Sequence, residues 1–467
     1  MKIIYVMLLS LLPLAGSAQF MHANAPSVRS LRMELNGEWG ALPVMTLGSD
    51  DVMLFSFDEM SHAYHRFTYR ITHCNQDWTP SDLHEIEYLD GFNDVLVEEW
   101  ENSVNTTQLY TTYQFALPNE NVSLLLSGNY KVEIFDDEDE SRLPVAQFRF
   151  SVVEPKLHIS ASVSGDTDIS LNEGHQQLSF VVDYANWNIA SPANEIMPVV
   201  YQNRRCDNVV RGIKPTYITG NTLEYVHNNR LIFNAGNEYR RFELTDPNNP
   251  GMNVEEVVRY GDECHALLYM DKRRVSHASY IDENGRYYVN TLEGYGSAIE
   301  ADYVYVHFAL DVPYRDGGSY YLLGDMCGNA LSPVSRLDYD AEEGYYHTTQ
   351  LLKLGLYNYM YVWLPDGGGI AETYPAEGDM YDTENEYLIY LYYRGFGERY
   401  DRLVGVCKVG YSLENNRFSI VILYDKREPN GSLLSYNGIR ACQPNFVLQA
   451  RNLSSRSSSS YRFSSAS

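Results

Sequence analysis

His62 and His65 stand three residues apart in Ser-His-Ala-Tyr-His-Arg, with Asp58 and Glu59 just upstream. On a helix that spacing would set two imidazoles on one face, ready to grip a transition metal. On a strand the odd offset sends them to opposite faces. The flanking residues read as β, so no metal site is expected there. Asp166-Thr-Asp168-Ile-Ser170 opens like a calcium loop, but the glycine at the sixth position and the closing glutamate are missing. No Gly-x-Ser-x-Gly elbow, P-loop or His-Glu-x-x-His motif occurs in the chain. Gly294-Tyr-Gly296 and Gly395-Phe-Gly397 do not open helices, as a dinucleotide site requires. Carboxylates are too abundant to single out a glycosidase pair. The expectation is a protein that is not an enzyme and that holds neither a metal nor another cofactor.

Recognition chemistry is better represented. In Tyr357-Asn-Tyr-Met-Tyr-Val-Trp363 the period of two puts Tyr357, Tyr359, Tyr361 and Trp363 on one face, with Asn358, Met360 and Val362 on the other. Tyr390 and Tyr392 share a face in the same way within residues 387–393. Such rows can fill a sandwich or a seam between domains. Because Tyr and Trp dominate protein interfaces and also stack on sugars, Tyr357, Tyr359, Tyr361 and Trp363 are the candidate partner-interface residues.

The elements that must position these residues are strands. Tyr130-Lys-Val-Glu-Ile134 and Phe148-Arg-Phe-Ser-Val152 alternate strictly, and the acidic run from Asp136 to Glu140 between them reads as a solvated hairpin loop. Turn signals such as Asn36-Gly37, Glu283-Asn284-Gly285 and Asp316-Gly317-Gly318 recur, and no long amphipathic helix appears. The fold class is therefore all-β, with tandem β-sandwich domains of immunoglobulin-like or early-set-like type. A strand ending at Val153-Glu154-Pro155 and the charged break Asp271-Lys-Arg-Arg274 divide the chain into sandwiches over residues 19–154, 155–274 and 275–412. The third stretch, with its strand at residues 302–310, resembles the early-set modules found beside glycogen-acting enzymes. It reads Asp325-Met-Cys-Gly-Asn-Ala-Leu331 where those modules carry an Asn-Trp pair.

Residues 1–18 have the form of a secretory leader: Lys2, an apolar run too short to span a bilayer, and Gly16-Ser17-Ala18 before Gln19. An exported location permits disulfides, but Cys74, Cys206, Cys264, Cys327, Cys407 and Cys442 are scattered without a CxxC pair, so no pairing is assigned. A formal charge of −27 disfavours nucleic acid and anionic membrane surfaces as partners. From Leu413 onward the balance reverses to seven basic residues against three acids, and the Ser-dominated end is expected to be disordered, with residues 418–424 its one strand-like run.

Residues 69–92, Tyr-Arg-Ile-Thr-His-Cys-Asn-Gln-Asp-Trp-Thr-Pro-Ser-Asp-Leu-His-Glu-Ile-Glu-Tyr-Leu-Asp-Gly-Phe, combine a short strand, a turn and a polar excursion dotted with single aromatics. This block resembles the type 9 secretion system plug proteins of Bacteroidetes. Further matches in order are Tyr110-Thr-Thr-Tyr-Gln-Phe-Ala-Leu-Pro-Asn-Glu120, Ser127-Gly-Asn-Tyr-Lys-Val132, residues 230–242, Gly355-Leu-Tyr-Asn-Tyr-Met-Tyr with Pro365-Asp-Gly-Gly-Gly369, and Tyr393-Arg-Gly-Phe-Gly-Glu-Arg-Tyr-Asp-Arg-Leu-Val-Gly405. The resemblance implies a periplasmic protein that closes the outer-membrane β-barrel translocon of that system by protein–protein binding. It implies no membrane insertion of its own and no small-molecule substrate. The alternative reading is a periplasmic or surface glycan-binding sandwich working through the Tyr row and Trp363.

Overall fold

The computed structural model describes residues 20–280, 282–292 and 299–411, together with the short strand Ile420–Ile422. The leader expected at 1–18, and all of the 413–467 tail except that strand, lie outside the described residues. The described chain is built of strands, with two four-residue α-helices, Glu85–Tyr88 and Pro192–Glu195, and two 3-10 turns among them. The all-β, tandem-sandwich class holds.

In the first sandwich, one sheet runs Met21–Ala23, Pro144–Val153, Gly128–Asp136, Phe67–Cys74 and Val95–Leu96, with Val44–Thr46 beside the second of these. It faces the sheet Val28–Leu35, Met53–Glu59, Thr111–Leu117 and Glu99–Asn102. The period-two pattern does the sorting. Phe67, Tyr69 and Ile71 point inward while Thr68, Arg70 and Thr72 do not, and Tyr130, Val132 and Ile134 are buried on the paired strand. The core is mostly aromatic. The Phe55 ring stacks on Phe115 at 4.9 Å, and Tyr69 stacks on Phe115 at 4.5 Å.

The other two sandwiches are interleaved in sequence. Ile196–Gln202 pairs antiparallel with Glu386–Tyr393, from Ile196↔Tyr393 to Gln202↔Tyr387, and Glu386–Tyr393 pairs onward to Arg402–Gly410. The second hydrophobic core accordingly joins Leu157 through Phe233 to Tyr387 through Val409. The third core lies between, from Phe242 to Ala376, under the sheets centred on Gly355–Pro365 and Tyr303–Asp311. A cut at residue 274 does not follow these sheets. Asp271 and Arg274 look like a solvated linker in the sequence, but they are pinned at the crossing. Asp271 Oδ1 accepts from Arg240 Nη1 at 2.6 Å, and Arg274 donates its backbone N–H to the Ala376 carbonyl at 2.9 Å.

Buried polar groups bind the sandwiches together. Between the first and third, Lys353 Nζ lies 2.6 Å from Asp58 Oδ2 with both side chains wholly buried. The Tyr303 and Thr112 hydroxyls donate to the same carboxylate at 2.6 and 2.7 Å. The ammonium also sits 4.1 Å over the Tyr110 ring. Burial pulls Lys353 down to about 8 even against the pull of Asp58. Between the first and second, Tyr392 donates to Asn129 Oδ1 at 2.8 Å and Arg402 meets Glu154 at 2.6 Å. Arg204–Asp325 at 2.7 Å and Arg286–Glu386 at 3.1 Å tie the second to the third. Cys74, Cys264, Cys327 and Cys407 are free thiols; Cys442 lies outside the described residues.

Candidate partner interface

The aromatic row of Gly355–Pro365 is interior. Tyr357, Tyr359, Tyr361 and Trp363 are 2%, 3%, 0% and 2% exposed, so they offer a partner no surface. Their polar tips are met inside: the Tyr359 and Tyr361 hydroxyls both donate to Asp271 Oδ2, at 2.8 and 3.0 Å, and Tyr357 donates to the Lys353 carbonyl at 2.6 Å. Trp363 packs on Tyr320 at 4.8 Å beneath the Arg315 guanidinium. The opposite face of the strand, with Met360 and Val362, is also buried, against Tyr239, Leu323 and Ala371. A strand covered on both faces cannot serve as a docking row, which removes the platform on which the glycan-binding reading stood. Tyr390 and Tyr392 are buried as well.

The other expectations resolve locally. His62 and His65 lie in the loop after Met53–Glu59. His62 Nε2 meets the Ser103 carbonyl at 3.1 Å, and His65 lies between Glu59 and Asp136 at 3.7 and 3.6 Å. Asp168 is engaged by His227 at 2.9 Å and by Gln177 at 2.7 Å. Among the described residues no cluster of three or more His, Cys, Asp and Glu side chains could hold a metal.

Large apolar groups do reach solvent where residues 73–92 meet residues 393–402. The strand Phe67–Cys74 ends in a tight turn: Asn75 N–H donates to the Thr79 carbonyl at 2.8 Å and Asp77 Oδ1 accepts from Thr79 N–H at 3.0 Å. Trp78, at φ 67°, is thereby folded inward onto the Arg149 guanidinium, 5.1 Å from its ring. The turn is structural. The short helix Glu85–Tyr88 follows, with Glu87 reaching back to the His84 N–H at 2.8 Å; it buries Tyr88 and leaves Ile86 86% exposed. Leu89–Gly91 then pairs with Val122–Leu124, and Phe92 emerges 78% exposed. Gly91 is required there: at φ 124° a Cβ would fall 2.0 Å from the Asn121 carbonyl oxygen.

The facing loop is held by its charges. Arg394 donates to Asn75 Oδ1 at 2.5 Å and pairs with Asp401 at 2.8 Å, while Asp401 accepts the Gln76 N–H at 3.0 Å. Arg399 donates to the Asp82 carbonyl at 3.0 Å and pairs with Glu87 on the short helix. Tyr400 packs edge-on against His73 at 5.2 Å. That imidazole is a packed, neutral group. Burial lowers it to about 4, its Nδ1 accepts from the Ser81 hydroxyl at 2.9 Å, and its Nε2–H donates to the Ser127 carbonyl at 3.2 Å. Between Gly395 and Gly397, Phe396 projects with 105% exposure. Asp82, Glu85 and Asp90, on the segment that carries Ile86 and Phe92, are exposed. The sequence signal for the exposed aromatics was glycine beside a lone ring, in Gly91-Phe92 and Gly395-Phe396-Gly397. Hydrophobic periodicity cannot register such isolated residues.

Residues 28–154 match the family model described as type 9 secretion system plug protein, first domain. A crystal structure of a hypothetical protein from Parabacteroides merdae ATCC 43184 is similar over 84% of this chain and 99% of its own, with 39% identity and a TM-score of 0.82. A cryo-EM reconstruction of native E. coli alpha-2-macroglobulin is far more distant, at 11% identity and a TM-score of 0.16 over 85% of this chain and 23% of its own. No curated protein matches the chain. The family match ends at Glu154, one residue after the strand Pro144–Val153 that completes the first sandwich, so it is the first sandwich that matches the first domain of the type 9 secretion system plug proteins.

Proposed function

We propose that this protein closes the channel of the outer-membrane β-barrel translocon of the type 9 system from the periplasmic side, and that the Ile86, Phe92 and Phe396 tip makes the contact. The observation that carries the reading is that Ile86, Phe92 and Phe396 stand in water on two segments, 73–92 and 393–402, that Arg394 and Arg399 tie together. Large aromatic side chains are frequent anchors of protein interfaces. The exposed acids of the first segment favour a partner pocket with a basic rim. A body welded by buried ion pairs suits a part that works by filling a pore. The family and the all-β fold point to a non-enzymatic role, and no described helix is long and apolar enough to cross a membrane.

The test is co-purification of the full chain with the translocon from envelope extracts. Wild type is expected to be retained, and the double variant Phe92→Asp with Phe396→Asp to be lost while melting at the wild-type temperature. Failure of wild type to co-purify would sink the plugging role; retention of the double variant would move the contact elsewhere.

A further inference from the structure

The strand Val28–Leu35 is irregular where it faces the third sandwich. Its pairing with Met53–Glu59 slips between Arg29 and Arg32: Arg29 stands opposite Asp58 and Arg32 opposite Ser56, and Ser30 takes the left-handed φ of 48°. A bulge of this kind strains the backbone and re-aims side chains, and bulges concentrate at functional sites. Here Arg29 and Arg32 line two adjoining clefts at the seam between the sandwiches, of about 240 and 90 Å³, which share Leu31, Tyr287 and Asp325 among their walls.

Neither guanidinium has a carboxylate or hydrogen-bond partner among the described residues, and the Nε of each is closed off from solvent and unbonded. Arg286, only 6% exposed, also lines the smaller cleft, but its terminal nitrogens are held by Glu386 and the Glu283 carbonyl, so it offers a ligand no free donor. Asp325, the carboxylate common to both clefts, is already engaged by Arg204 at 2.7 Å and by Asn329. Buried donors are normally satisfied, and the forked guanidinium is matched best by a planar or tetrahedral oxyanion. In a chain of net charge −27, unpaired arginines in a half-enclosed cleft are the reverse of the surface pattern.

We infer that this seam is a binding site for a small oxyanion, a carboxylate or phosphate group held by the terminal nitrogens of Arg32, with Arg29 extending the positive field along the larger cleft. The smaller cleft, at about 90 Å³, is several times the ~10–15 Å³ that one water needs on the same measure, leaving room for such a group. The site is separate from the tip and does not depend on the plugging role.

The experiment is calorimetric titration and thermal melting of the full chain with inorganic phosphate and with succinate, against chloride at equal ionic strength. One of the two oxyanions is expected to bind saturably and raise the melting temperature where chloride does not; which one does so identifies the group. Arg32→Gln should weaken that binding by at least about tenfold, the loss of one charge-assisted pair. If Arg32→Gln perturbs folding, Arg32→Lys keeps the charge without the fork and should weaken binding in the same sense. Oxyanions indistinguishable from chloride, or unchanged binding by a folded Arg32 variant, would overturn the site.

Discussion

Two aromatic regions of this molecule look alike in composition and behave oppositely. Around Gly355–Pro365, rows of Tyr and Trp repeat at strand spacing, and every member is buried with its hydroxyl or ring engaged. At the junction of residues 73–92 and 393–402, single aromatics sit beside glycines in short turns, and Phe92 and Phe396 face water. The difference teaches that aromatic density marks where a sheet needs filling from both faces. An available contact comes instead where the backbone leaves its sheet and no neighbouring strand remains to cover the side chain.

The sharpest way to break the comparison is to truncate the interior row. Tyr359→Ala combined with Tyr361→Ala opens a cavity and strips Asp271 of two donors, leaving it to Arg240. Each large-to-small change costs about 3–5 kcal/mol, and the two rings touch at 5.7 Å, so the pair will not simply add. Circular dichroism and urea melts should show the double variant largely unfolded at room temperature. A folded double variant would mean the row is not core. Next comes Lys353→Met, which leaves Asp58 charged and wholly buried with only hydroxyl donors. A loss of about 3–5 kcal/mol is expected in the urea midpoint, whereas the double change Lys353→Met with Asp58→Leu should recover much of it.

Much of this interior was legible in the sequence. Strict alternation marked two strands of the first sandwich, at residues 130–134 and 148–152, and Leu157, two residues past Pro155, already belongs to the second core. Strand exchange was not legible. Glu386–Tyr393 pairs with a strand nearly two hundred residues upstream because both of its faces are apolar, and local pattern carries no record of which distant strand lies beside it. The charged run at Asp271–Arg274 misled for a related reason: charge alone does not distinguish a solvated linker from ion pairs at a crossing. The motif block at residues 69–92 was visible as unusual. Its exposed members could be picked out only once the Gly91 backbone and the Arg399–Glu87 pair were in place.

A smaller effect separates the two regions by pH. Behind the aromatic row, Glu238 and Asp282 are held well above the usual carboxylate range, first by burial and then, for Asp282, by the charge of its neighbour. His277, Asp382, Glu384 and Arg274 surround the pair. The unfolded chain releases these protons near pH ~4, while the folded chain keeps them toward neutrality. Their contribution to stability is therefore complete below about pH 4 and is lost as pH rises through the elevated folded values. Asp282→Asn should flatten the fall in melting temperature between pH 5 and pH 8 and gain on the order of 1–2 kcal/mol at the upper end. A variant as pH-dependent as wild type would show that the pair does not share a proton.

The least change in stability is expected at the tip, and for that reason it is the most discriminating. Phe396 makes no core contact, so Phe396→Asp should move the unfolding free energy by no more than about 0.5 kcal/mol, the range of ordinary surface substitutions. Phe92→Asp should behave alike, because Gly91 and the pairing of Leu89–Gly91 with Val122–Leu124 hold the backbone without help from the ring. Arg399→Ala offers a finer control. It releases the loop from the short helix, leaves both aromatics in place, and as a surface pair should cost under about 1 kcal/mol. If partner binding rests on the apolar groups being held in one arrangement, Arg399→Ala should weaken co-purification less than Phe396→Asp but measurably. If exposure alone is enough, it should have no effect. Binding lost in Arg399→Ala but kept in Phe396→Asp would shift the contact from the aromatics to the charged frame beneath them.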